Sequence, residues 1–128
     1  MLDPHLIICR RNELLDGGKA VRFELQRLDS QGNAQNINGF AIAFDNQVYA
    51  YQNNCPHRGT ELDWQQGEVF DETGLYLICA THGAAFEPET GLCIDGPCRG
   101  ARLTQISVAI DHGQVILQDG LLLKADNN

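Results

Sequence analysis

A chain of 128 residues, 43% of them hydrophobic, carries enough apolar material for the core of one globular domain and too little for two. Its net charge of -8 argues against a nucleic-acid partner, because phosphate contacts need a basic footprint. The same charge suits docking onto a basic face of another protein, and equally suits plain solubility.

No apolar run approaches the roughly 18 residues of a membrane span. The N-terminal "MLDPHLIICRRNELLDGG" has acid and proline where a secretory signal has its basic region. A cytoplasmic protein with no membrane partner is therefore expected. In a reducing cytosol, five cysteines point to metal or catalysis before disulfides.

No repeat, low-complexity tract or linker interrupts the chain, and residues 5–118 read as one domain. Cys9, in the apolar "LIIC", belongs to the core. Asn12 is placed to cap a short helical turn through "ELLDGG", which the glycines end. "VRFELQRL" alternates Val21, Phe23 and Leu25 with Arg22, Glu24 and Gln26, the period of a strand with one wet face. "FAIAF" and "QVYAY" flank Asp45-Asn46, a pair suited to a tight hairpin. The strand "VYAYQNN" runs straight into "CPHRGT". "GLYLICA" and "AAFEP" read as strands on either side of a loop containing "THG". "LTQISVAI" and "QVILQ", joined by "DHG", form a further hairpin. After residue 118 the chain reads as a tail, 119–128. Many short strands with turn signals between them predict an all-β sandwich or small barrel.

Two segments carry metal-ligand chemistry: Cys55-x-His57 and Cys79-x-x-His82. A structural zinc is the first candidate, but its ligands usually come at spacings of two to five residues, and Cys-x-His strains both side chains toward a single ion. Two metal centres side by side remove that strain, since each loop can give its cysteine to one and its histidine to the other. That is the ligation of a [2Fe-2S] centre in which two histidines replace two cysteines on one iron.

The stretches "CPHRGT", "CATHGAAF" and "TGLCIDGP" resemble the Rieske-type iron–sulfur proteins. The resemblance implies an antiparallel β-sandwich with a small cluster-binding subdomain at about residues 53–98. It implies that Cys55 and Cys79 bind the inner iron of a [2Fe-2S] cluster, and that His57 and His82 bind the outer iron near the surface. It makes "TGLCIDGP" the proline-containing third loop over the cluster. Imidazole ligands that can lose protons on oxidation would couple the potential to pH.

Departures from the high-potential members are specific. Thr60 and Thr81 stand where those members carry a disulfide. Ala84 and Phe86 replace a serine and a tyrosine whose hydroxyls bond to cluster and ligand sulfurs. Fewer donors make reduction harder, so the potential belongs near the lower end of the range of about -150 to +300 mV.

Cys93 and Cys98 admit three readings: packed thiols, a short-loop disulfide, or a redox sensor. His5 and His112 read as solvent-facing or locally satisfied, and Trp64 as core packing. Gly59, Gly83 and Gly96 flank the ligands, where backbone has to approach the sulfides. The chain has no Gly-rich nucleotide loop and no facial triad for mononuclear iron. The expectation is an electron carrier with no substrate site of its own, working between a flavin reductase and a terminal oxygenase. A redox-sensing module and a small subunit of a larger reductase are the alternatives.

Overall fold

A computed structural model describes residues 4–28, 30–56, 61–63, 65, 67–80, 83–118 and 122–123. Among them are ten strands, arranged in three antiparallel sheets, and one short 3-10 turn. The all-β antiparallel architecture expected from the sequence is the one the chain adopts. Among the described residues, no helix is long and apolar enough to cross a membrane.

The largest sheet is built from β2 (Val21–Leu28), β3 (Ala34–Phe44) and β4 (Gln47–Gln52). In β2, the alternation puts Leu25, 1% exposed, into the core with Val21 and Phe23 packed beside it. β3 behaves differently, because all side chains from Phe40 to Ala43 are buried. Phe40 and Ile42 enter one apolar core, while Ala41 and Ala43 enter the other. In β4, Tyr51 and Ala50 divide in the same way. A strand covered on both faces has no polar face to alternate, which is why "FAIAF" is a continuous apolar run. Asp45 and Asn46 join β3 to β4 with φ of 50° and 63°, the left-handed pair of a tight hairpin. Asn46 is held there by its N–H donating to Asp16 Oδ2 at 2.9 Å.

A second sheet has the order β1 (Ile7–Arg10), β9 (Gln114–Leu117), β8 (Val108–Asp111). His112 and Gly113 make the turn between β8 and β9, both with positive φ. Cys9, Val115 and Leu117 of this sheet share one core with Leu25, Ala41 and Ala43 of the first. Cys9 is core, as expected, and burial pushes its thiol up to about 11, with the Glu13 carboxylate adding to the shift.

Two sequence expectations need correction here. Asn12 does not cap a helix; it lies inside a single 3-10 turn, Arg11–Glu13. The turn is closed by the Glu13 carboxylate, which accepts the Arg10 N–H at 3.1 Å. Leu14 is 2% exposed, and sending it into the core needs the extended backbone it adopts, so the helix stops after three residues. The stretch read as a tail also contributes structure. Leu122–Leu123 form β10, paired with Gln26 and Leu25 on the outer edge of β2, and Leu123 donates its N–H to the His5 carbonyl at 2.7 Å. Leu123 packs on the core beneath that edge, a gain the polar residues after it do not offer. The remainder of 119–128 lies outside the described residues.

The third sheet is the small one: β5 (Leu77–Ile78), β6 (Ala85–Phe86) and β7 (Cys93–Asp95), in that order. Its side chains enter the core that Phe40, Ile42 and Tyr51 face from the large sheet. The loop between β5 and β6 carries the second Cys/His motif.

Candidate metal centre

The first motif follows directly from the end of β4. Asn53 is buried, at 4% exposure, and its backbone N–H, side-chain oxygen and side-chain amide are all bonded. Its backbone N–H donates to the Asn38 carbonyl at 2.8 Å. Its side-chain oxygen accepts the Leu62 N–H at 2.8 Å, and its side-chain amide donates to Asp63 Oδ1 at 2.9 Å. Asp63 in turn accepts the Gly67 N–H at 2.9 Å and faces Arg22 Nε at 3.6 Å. Arg22 also pairs with Glu61. The two stems of the loop are therefore pinned to each other and to β2 and β3. A loop without regular pairing needs such side-chain bonds to satisfy its buried backbone. Cys55 lies between the stems and is 1% exposed.

The second motif turns back on itself. Cys79 donates its N–H to the Ala84 carbonyl at 2.9 Å, and Gly83 donates to the Cys79 carbonyl at 2.8 Å. Gly83 has φ +71°, which a side chain rarely adopts. Cys79 is fully buried. The Ala80 N–H donates to the Leu62 carbonyl at 3.0 Å, tying the second loop to the end of the first.

The third loop lies against the second. Asp95 of β7 pairs with Ala85 of β6. Gly96, with φ +98°, comes so close that a Cβ there would sit 2.8 Å from Ala84 Cα. The close approach that requires glycine at this position is to the second loop's backbone. Within the third loop, the Cys98 and Cys93 sulfurs stand 2.8 Å apart. Burial pushes the Cys98 thiol up to about 12, and hydrogen bonding to the Cys93 and Cys55 sulfurs adds to the shift.

Cys55, Cys79, Cys93 and Cys98 thus share one apolar core. Of the four candidate ligands, Cys55 and Cys79 are placed on adjacent, hydrogen-bonded loops. His57 and His82 lie outside the described residues, as do Gly59, Thr60, Trp64 and Thr81. Among the described residues, no three metal-binding side chains converge on one point. The donor chemistry present fits an iron–sulfur group: two buried soft thiols on loops held rigidly by their neighbours. Ala84 and Phe86 are both fully buried and bring no hydroxyl to this core. The sequence reading missed Asn53 and Asp63. The only local hint is Asx residues at both ends of the motif, "NNCPHRGTELD".

Two cysteine-bearing loops tied together on a small antiparallel sheet, with a third loop packed on the second, define a β-type iron–sulfur domain. The chain belongs to the Rieske [2Fe-2S] domain family, whose model matches residues 6–122, and its cofactor is the [2Fe-2S] cluster of that domain. No curated protein matches it. Its fold is similar to that of the Sphingomonas yanoikuyae B1 ferredoxin (TM-score 0.63, 22% identity, 90% of this chain and 98% of that one). It is also similar to the ferredoxin of carbazole 1,9a-dioxygenase from Nocardioides aromaticivorans IC177 (TM-score 0.64, 20% identity, 87% of this chain and 93% of that one). A third likeness is to a chain in the complex of reduced oxygenase and oxidized ferredoxin in carbazole 1,9a-dioxygenase (TM-score 0.62, 22% identity, 88% of this chain and 90% of that one). At these identities the likeness establishes the fold.

Proposed function

We propose that the protein is a single-electron carrier of the low-potential ferredoxin type, taking electrons from a flavin reductase and delivering them to a terminal oxygenase. The observation that carries this reading is extent: the iron–sulfur fold takes up nearly the whole chain, and its family model matches residues 6–122. The likeness to ferredoxins of nearly the same length, one of them belonging to a dioxygenase, supports the choice of acceptor.

In this reading Cys55 and Cys79 hold the inner iron, and His57 and His82 hold the outer iron. The bound cluster supplies one-electron chemistry between its oxidised and reduced forms. The protein's own residues do the rest. Asn53 and Asp63 fix the first ligand loop, and the Ala80–Leu62 bond keeps the second in register with it. The apolar wall around both thiols keeps water from the sulfurs. Ala84 and Phe86 withhold the two hydroxyl donors that would favour the added electron. The working unit runs from about residue 5 through β10 at Leu122–Leu123, with the ligand loops within about 53–98, and we place it in the cytoplasm. The net charge of -8 directs it toward partners with a basic docking face.

Anaerobic voltammetry of the purified holoprotein tests this reading. A one-electron couple in the lower part of the range of about -150 to +300 mV is expected. A couple near the upper end would point to quinol-type chemistry and contradict it.

A further inference from the structure

The third loop contains a pair of side chains that electron carriage does not use. Cys93 and Cys98 bring their sulfurs to 2.8 Å. A disulfide bond measures about 2.05 Å, so small side-chain rotations separate the pair from a bridge. We propose that Cys93 and Cys98 form a reversible dithiol–disulfide couple that closes the third loop beside Cys55.

The backbone around the pair is held by its own hydrogen bonds. Cys93 donates its N–H to the Ala101 carbonyl at 2.8 Å and accepts the Gly100 N–H at 3.0 Å. Ala101 donates back to the Cys98 carbonyl at 2.8 Å, so both cysteines are tied to Ala101. Asp95 Oδ1 accepts the Gly96 N–H at 3.0 Å, tightening the turn between them. Closing so short a loop removes little entropy from the unfolded chain. The bridge is therefore not needed to hold the fold, which suits a couple that opens and closes. The two thiols also differ in access: Cys98 is 7% exposed and Cys93 1%. Cys98, the less buried of the two, is the one an outside reagent would meet first, with Cys93 to resolve the adduct, and its raised thiol makes that first exchange slow.

In the oxidation, two S–H bonds break and one S–S bond forms. Two protons and two electrons leave, and a low-molecular-weight disulfide such as oxidised glutathione takes them to become two thiols. An excess of reduced glutathione reverses the exchange. In the bridged form Cys98 has no S–H left to offer the Cys55 sulfur, with which it shares a buried core. Donors to a ligand sulfur favour the reduced cluster, so the bridged form has the more negative cluster potential. This last consequence rests on Cys55 being a ligand; the couple itself does not.

The test uses anaerobically purified holoprotein brought to equilibrium in glutathione buffers of graded ratio, then acid-quenched, alkylated and digested. The peptide carrying both cysteines should pass from a doubly alkylated form to one lacking two hydrogens, with the visible cluster spectrum retained. Voltammetry on the two end states should show the shift to more negative potential on bridging. Cys93→Ser and Cys98→Ser should each abolish the transition while keeping the cluster. A dithiol that persists even in oxidised glutathione alone would overturn the proposal. So would a glutathione adduct on Cys98 that never resolves, or a bridge to Cys55 with loss of the cluster spectrum. A protein purified without any cluster spectrum would instead overturn the ligand reading, while the peptide still reported on the couple.

Discussion

Asn53 shows how one residue can organise the loop that carries Cys55. Its amide uses both ends, accepting from Leu62 and donating to Asp63, at full burial from solvent for practical purposes. Truncation in Asn53→Ala leaves a buried N–H and a buried carboxylate short of a partner, which costs about 1–3 kcal/mol. Chemical denaturation should register that loss, and the variant should lose iron faster to a chelator than the parent. Unchanged stability and iron retention would show that water replaces the amide. Phe86 offers the opposite experiment, adding a group. Phe86→Tyr places a hydroxyl in a fully buried position on β6, next to Cys93 in the β7 register. Where that hydroxyl donates to a ligand sulfur, the midpoint potential rises. A variant about 1–3 kcal/mol less stable with an unchanged potential would mean the hydroxyl is buried without a partner.

At the scale of elements, the ligand loops are held by contact between loops as much as by the sheets that carry them. Gly96 is the tightest of these contacts, and two independent reasons reserve it for glycine: its φ of +98° and its approach to Ala84 Cα. Gly96→Ala should cost at least about 1 kcal/mol from backbone strain alone. The neighbouring atom is backbone and cannot swing aside, so a lowered melting temperature and reduced cluster content are expected together. A variant that melts and loads as the parent does would mean the third loop can lift off the second. The elements themselves were legible wherever their cause is local. The alternation of "VRFELQRL" and the Asp45-Asn46 turn carry their own signals, and both strands and hairpin form as read. The two Cys motifs stand out in the sequence because spacing is a local property, and their cysteines meet in one core. What was not legible depends on distant parts of the chain. Leu122–Leu123 becomes a strand because β2 has an open edge above a core, and Asn12 is not a cap because Leu14 is claimed by that core. The Asn53–Asp63 network and the 2.8 Å approach of Cys98 to Cys93 exist only once the loops are folded together.

The whole molecule is a two-core β structure in which β3 and β4 serve as the shared wall, one core built over the strands of β1, β8 and β9 and the other around the thiols. In the proposed reading this division backs the cysteine-bearing loops with a sheet buried on both faces. In that reading the net charge of -8 draws the protein to its partner. If the acceptor presents a basic face, the second-order rate of electron transfer should fall several-fold between about 0.01 M and about 1 M salt, as the screening length drops from about 30 Å to about 3 Å. A flat dependence in stopped-flow mixing would assign the charge to solubility alone. The central claim is the mixed-ligand cluster, and its most direct test is low-temperature EPR of the dithionite-reduced protein with iron and sulfide counted on the same sample. A rhombic signal of low average g with two irons and two sulfides per chain is the expected result. An EPR-silent protein holding one zinc per chain would contradict it, and would leave Cys55, His57, Cys79 and His82 as ligands of a structural ion.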